Sequence, residues 1–459
     1  APIAENKTYV SGQIRLSIIT DHILRLERVE GDTFADLATQ KIMHRDFGSP
    51  SFSVKDNMLD IEVTTADRVF HVDKETLLVS VKLENYWVDS HQVHPLGGTF
   101  RTLDNGLGDR ILFGENKGPV KLSDSIFSLE GVAEIDDSAS YFLEENGTLS
   151  ARRSGDIDRY ILAFGKDYLG GLREFYGLTG FTPLLPKYAL GNWWSRYYAY
   201  RQQEYIDLMD KFKDKGIPLT VATIDMDWHL VKNVPKDATT HSKFWGRGWT
   251  GYTFDTDLFP DYKQFFRDLK ERGLAITMNL HPHDGIRYFE KQYPAMAKAN
   301  GIDPASKEPV EFDFTDRTFV DSYFDLVLHP YEEDGVDFDI TSRKFLEAYF
   351  KCVLHPEENK GVDFWWIDWQ QGRKSNRQGL DPLWLLNHYH TLDAGRDGRT
   401  PLILSRYAGC GSHRYPLGFS GDTIVRWKSL AYQPYFTLAA SNTGYSWWSH
   451  DIGGHMGSK

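Results

Sequence analysis

Two patterns along the chain predict an α/β protein in which an N-terminal antiparallel β-sandwich precedes a (β/α)8 TIM barrel. Short alternating strands separated by turn residues fill residues 1–165, and from residue 187 apolar strand-like runs alternate with amphipathic helices. Size agrees, because eight such runs in roughly 270 residues are what a barrel of this type needs.

In the first part, Ile14, Leu16 and Ile18 alternate with polar neighbours, then Leu24 and Leu26, then Leu59, Ile61 and Val63. Val69–Val72 and Leu77–Val81 follow, with the turn formers Asp56-Asn57 and Asp73-Lys74 nearby. Strands this short and this closely spaced predict a sandwich. A helical stretch over Asp167–Tyr176 and a Pro-containing link make up residues 166–186. The barrel is expected over 187–459, with its first run at Leu190–Tyr200. Tyr205, Leu208, Met209 and Phe212 then fall at i, i+3, i+4 and i+7, and Gly216 stops that helix. Leu219–Ile224 is the second run; Phe265, Phe266 and Leu269 mark a helix closed by Gly273, and Leu274–Leu280 is the third run. Five more are expected at Val362–Ile367, Pro401–Ser405, Gly418–Gly421, Tyr435–Ala440 and Tyr445–Trp448. A doubly wound open sheet is the alternative, but it wants a phosphate-binding glycine loop after its first strand, and Asn192-Trp193-Trp194-Ser195 is not one.

A tandem repeat interrupts this order. Residues 312–338 and 338–364 align at an offset of 26 with 16 of 27 positions identical. Two copies do not make a solenoid. Each reads as a helix entering a strand, and only the second continues into Trp365-Trp366-Ile367-Asp368, so the second copy is expected in the barrel and the first as an extra excursion.

A net charge of −13 argues against nucleic acid or an anionic membrane as partner. No apolar run reaches the ~20 residues of a membrane span. Cys352 and Cys410 form no disulfide framework and no zinc-ligand cluster; with no signal-peptide core at the N-terminus, they read as free thiols of a cytoplasmic protein. Self-association into a homo-oligomer stays open. No cofactor motif stands out, and His281 and His283 lack a third metal ligand, so neither cofactor nor metal is expected.

Polar residues gather where the strand-like runs end: Arg196, Asp225 and Asp227, His281, Asp368, Arg406, Asp422, Asn442 and Asp451, in order. Catalytic groups of barrels sit at those ends. A carboxylate embedded among Trp and Ile, as Asp368 is, costs free energy unless it is hydrogen-bonded or functional. Two carboxylates on either side of a sugar ring suffice for glycoside hydrolysis, one attacking or activating water and the other protonating the leaving oxygen. His281 reads as a core or supporting residue. The many Trp residues beside charged ones suit stacking on sugar faces.

From Leu96-Gly97-Gly98-Thr99 to Ile452-Gly453-Gly454-His455 the chain resembles glycoside hydrolase family 31, the α-glucosidases and α-xylosidases. Trp366-Ile367-Asp368 is similar to the family's nucleophile signature after strand four, and Ser420-Gly421-Asp422 to its acid/base after strand six. Arg406 stands sixteen residues before Asp422, as the family's substrate-binding Arg does. Asp225-Met226-Asp227 resembles the strand-two pair, and Asp451 the strand-eight Asp. The resemblance implies a retaining, exo-acting α-glucosidase. Asp368 would attack the anomeric carbon and Asp422 serve as acid and then base. Asp104, Trp193, Asp225, Trp366, Arg406 and Asp451 would bind the carbohydrate. It also implies a last barrel helix, a substrate-binding His beyond strand eight and C-terminal β-domains. These do not follow within the 459 residues, so the expected barrel is truncated after strand eight. A sugar-binding fragment without turnover, or the same chemistry on α-xylosides, are the competing readings.

Overall fold

The computed structural model describes residues 7–31, 33–48, 50–100, 109–110, 115–116, 122–123, 125–145, 147–235, 248, 251–333, 361–368, 379–406, 409–451 and 454–455. They fall into two compact units: Ala1–Pro183 with Arg406–Lys459, and Leu184–Ser405. The sequence reading ran one barrel domain unbroken from 187 to 459, whereas this division groups the last 54 residues with the N-terminal part.

The first unit holds the expected antiparallel sheets. One runs Thr8–Ser11, Ile14–Ile18, Ile23–Arg28, Ile157–Leu162 and Ala133–Asp136; the other is a meander of Ser53–Asp56, Asp60–Thr64, Arg68–Asp73, Val79–Leu83 and Tyr86–Asp89. Leu16 and Leu26 of the first sheet share a core with Ile61, Phe70 and Val81 of the second. Alternation along each strand delivers these side chains to one face. Helix α1 (Tyr168–Thr179) starts where Asp167 accepts from the Gly170 amide at 2.9 Å, and it buries Phe175 and Leu178 beside Tyr160 and Leu162.

The second unit is built on five parallel strands in sequential order: β1 (Trp193–Trp194), β2 (Val221–Ile224), β3 (Ala275–Leu280), β4 (Phe364–Ile367) and β5 (Ile403–Ser405). Sequential order is that of a barrel wall; a doubly wound sheet reverses at its switch point. Every residue of β2–β5 is buried, as expected of strands covered on both faces. Helices α2 (Gln202–Asp214), α3 (Tyr262–Glu271), α4 (Tyr293–Ala299), α5 (Arg317–Tyr323), α6 (His329–Glu333) and α7 (Pro382–Ala394) complete it. The remainder of the first unit adds a parallel pair, β6 (Gly418–Phe419) with β7 (Trp448–Ser449), and helix α8 (Trp427–Ser441).

Two expectations are corrected. Tyr435–Ala440 is not a strand but the second half of α8, so Asn442 caps a helix and Asp451 follows the seventh parallel strand among the described residues. A short apolar run carries no reliable period, and Pro434 reads as a break although the helix continues through it. The repeat is also resolved differently. The first copy supplies α5 and α6, which pack into the unit, and the second supplies the strand start. Gly361 donates to the Glu332 carbonyl at 3.0 Å and Val362 to the Tyr331 carbonyl at 3.1 Å, so the first copy's helix is tied directly to the second copy's Gly-Val-Asp-Phe. Residues 334–360, with the second copy's helix-like stretch, lie outside the described residues.

The reason lies at Tyr331, while the neighbouring Glu332 is matched by Glu358 in the second copy. Tyr331 is buried among Trp228, Phe254 and Tyr262, with ring centroids 5.5–5.9 Å away. Its hydroxyl accepts from Gln292 at 2.7 Å and donates to the Tyr252 carbonyl. Glu332 accepts from the Trp365 indole at 2.8 Å and pairs with Arg396. The second copy has Glu357 where the first has Tyr331. A carboxylate among three aromatic rings would pay the full cost of desolvation.

Candidate active site

Each unit contributes one cluster of the residues singled out above. In the second, Asp368 leaves the C-terminal end of β4 and is 6% exposed. Its amide donates to the Leu280 carbonyl at 3.0 Å, continuing the ladder between β3 and β4. Side chains two apart on a strand share a face. Trp365 points outward, its indole on Glu332 of α6, so Trp366 and Asp368 point the other way together. Asn279 and His281 lie two apart along β3 and its exit. The Asn279 amide donates to Asp368 Oδ2 at 3.0 Å, and His281 Nε2 stands 3.1 Å from that same oxygen. Both partners are fully buried. Asn279 carries no motif signal; only the period of two that pairs it with His281 could have found it.

Asp225 ends β2 and turns its carboxylate onto the Met226 amide at 2.7 Å, capping the 3-10 turn Met226–Trp228. Asp225 and Asp227 both raise the Tyr197 hydroxyl's pKa, after burial, which places the two carboxylates near that ring. The Asp227 carboxyl is itself raised, first by burial and then by Asp255, against the pull of Lys232. Trp193 donates its indole N–H to the Ala189 carbonyl at 3.2 Å and packs edge-on against Phe364, 5.3 Å between centroids. That sets its ring beside the first residue of β4, at the end of the strand away from Asp368. Burial, helped by the neighbouring His281, drives the His229 imidazole down to about 3 against its bond to the Leu230 carbonyl, and burial lifts the Glu290 carboxyl to about 7 against its bonds from Thr253 and the Tyr252 amide.

A cavity of about 980 Å3 opens at the N-terminal ends of β3–β5, opposite Asp368. Among the charges lining it, Lys270 pairs with Asp363, and Arg396 with Asp393 at 2.9 Å.

In the first unit, Arg406 is 1% exposed and donates to Asp422 Oδ1 at 2.9 Å, with its guanidinium 5.0 Å above the Phe419 ring. Gly421, with φ +97°, turns the chain into Asp422, a backbone conformation in which a side chain would be strained. His455, which sequence reasoning passed over, stands with Nδ1 3.6 Å from Asp451 and Nε2 3.9 Å from Asp422. Three ligand-type atoms of Asp422, Asp451 and His455 thus lie within 4.8 Å of one another. A cation there would compete with Arg406 for the Asp422 carboxylate. Asp104 lies outside the described residues, as do Ile452 and Gly453.

The family model for the glycosyl hydrolases family 31 TIM-barrel domain matches residues 182–459. An alpha-xylosidase of Saccharolobus solfataricus is 24% identical over 422 residues, which cover 87% of this chain and 53% of that protein. Alpha-glucosidase 2 of Bacillus thermoamyloliquefaciens is 33% identical over 128 residues, 28% of this chain and 14% of that protein. The chain therefore spans about half the length, or less, of these two curated relatives. Among solved structures, a GH31 alpha-xylosidase from a soil metagenome complexed with xylose superposes with a TM-score of 0.59 at 15% identity, covering 98% of this chain and 71% of that one. At that identity the likeness concerns the fold.

Proposed function

Since the chain belongs to glycoside hydrolase family 31, whose barrel model matches more than half of it, we propose that it is a retaining, exo-acting α-glycosidase that removes terminal nonreducing α-linked glucose by double displacement. The observation that carries this reading is Asp368: a buried carboxylate at the exit of a fully buried parallel strand, held by one side chain of the neighbouring strand and one at that strand's exit. Solvated loop charge does not look like this; a nucleophile held ready for attack does. In the first step an Asp368 oxygen bonds to the anomeric carbon as the glycosidic C–O bond breaks, and Asp422 passes its proton to the departing oxygen. In the second, Asp422 takes a proton from water, whose oxygen bonds to the anomeric carbon as the Asp368 ester breaks. Asp225, Arg406, Asp451, Trp366 and Asp104 are assigned to the sugar, with Arg406 also orienting Asp422; Trp193, expected there from the sequence, stands at the other end of β4. The proposed scaffold is the full (β/α)8 barrel. A cytoplasmic location goes with the reading.

Relatives named alpha-xylosidase favour a second substrate, the α-xyloside, for the same machinery. A panel of p-nitrophenyl α-glycosides separates the two: faster release from the glucoside supports the first, and from the xyloside the second. Asp368→Ala should abolish release from both. Turnover that survives this substitution, or a parent chain that turns over neither glycoside, overturns the proposal.

A further inference from the structure

We infer that Asn279 and His281 are positioning residues that make Asp368 a good leaving group in the second half of the reaction. The inference rests on the assignment of Asp368 as nucleophile. Two donors converge on one carboxylate oxygen, Oδ2, at 3.0 and 3.1 Å. Asn279 is carried by β3 and His281 directly follows its last residue; the register of β3 with β4 is fixed by paired residues Asn279 with Trp366 and Leu280 with Ile367, and by the Asp368 amide on the Leu280 carbonyl. The Trp228 indole, wholly buried, donates to the Asn279 carbonyl at 2.9 Å and pins that residue from the β2 side. Asn279 is therefore fixed to the same sheet as the nucleophile, and His281 is set by its neighbour Leu280, which pairs with Ile367.

Their effect on the two steps differs. In the first step Asp368 gives up negative charge as its ester forms, so donors on Oδ2 gain nothing from the transition state beyond holding the rotamer. In the second step the ester bond breaks, its electron pair returns to the carboxylate, and charge grows on the oxygen that faces Asn279 and His281. A hydrogen bond strengthens as charge develops on its acceptor, so here the pair acts as an oxyanion site for the departing aspartate. Removing either donor should slow the second step more than the first.

The test uses the 459-residue chain and 2,4-dinitrophenyl α-glucoside, whose leaving group needs little protonation. Asn279→Ala and His281→Leu should each lower kcat about 10- to 100-fold, the cost of one hydrogen bond to a charged group. KM should fall with kcat, because the glycosyl-enzyme accumulates, and mass spectrometry of quenched samples should show it. His281→Gln, whose side-chain N–H reaches about as far as Nε2, should recover much of the loss. Melting temperature and circular dichroism establish that each variant is folded, and the His281 pair carries the test should Asn279→Ala fail to fold. A KM that stays constant or rises while kcat/KM drops, or His281→Leu with parental kcat, overturns the inference and leaves Asp368 as nucleophile standing. Undiminished turnover in Asp368→Ala instead removes the reading beneath it.

Discussion

At the scale of single residues, Asp422 and Glu290 show how surroundings set what a carboxyl can do. As the proposed acid/base, Asp422 is needed most where the leaving oxygen is basic. Asp422→Ala should lose activity on an alkyl glycoside by several orders of magnitude yet keep much more on a dinitrophenyl glycoside, and added azide should restore part of the second step. Equal losses on both substrates would argue against its role. Glu290 is buried with its pKa raised to about 7, so the folded state holds a proton that the unfolded chain gives up near 4.5. Its contribution to stability is complete below about pH 4.5 and is lost as pH rises through 7. Glu290→Gln mimics the protonated form. It should match the parent near pH 5 and exceed it by up to about 3 kcal/mol at pH 9, measured by urea unfolding. At this scale the sequence was a good guide to Asp368, whose Trp and Ile neighbours mark it as buried. It was blind to Asn279, because an amide inside a strand looks the same whether it faces a helix or a nucleophile.

Among elements, the helix formed by α5 and α6 is the instructive one. Its sequence occurs twice, and the copy carrying Tyr331 supplies it. Because Gly361 and Val362 bond to Glu332 and Tyr331 as the first copy's own Gly335 and Val336 could, excising residues 335–360 joins Asp334 to Gly361 and reproduces the first copy's local sequence. That deletion should fold with a melting temperature within a few degrees of the parent. Tyr331→Glu, which makes the first copy resemble the second, should cost about 3 kcal/mol or more, from lost aromatic packing and a carboxylate placed among rings. A deletion variant that fails to fold would show that the second copy is needed. The sequence announced the duplication plainly but read the first copy as an excursion, since the contacts of Tyr331 to Gln292 and Tyr252 come from distant parts of the chain. Helix α8 was misread for a more local reason. Its residues are apolar or aromatic without a clear period, and its proline imitates a boundary.

For the whole molecule, the order of sandwich then barrel strands was legible because each class imposes its own period. The contacts that join Arg406–Lys459 to Ala1–Pro183 were not, because they are long-range and no local pattern encodes them. Within the first unit, Arg414 donates to the carbonyls of Gln40 at 2.7 Å and Thr179, His413 bonds the Gly180 carbonyl at 2.8 Å, and the Tyr176 hydroxyl reaches the Gly444 carbonyl at 2.8 Å. A fragment of residues 1–183 should therefore unfold at lower urea than the same fragment mixed with a peptide spanning 406–459, and equal midpoints would refute this. The split nature of this unit also bears on birth of the polypeptide. While the ribosome threads out the 222 residues of Leu184–Ser405, roughly 10–45 s pass at ordinary elongation speeds. Through that interval the nascent sandwich lacks the partners of Tyr176, Thr179 and Gly180, leaving an unfinished seam that a chaperone could guard and that slow codons in the middle of the message would hold open longer.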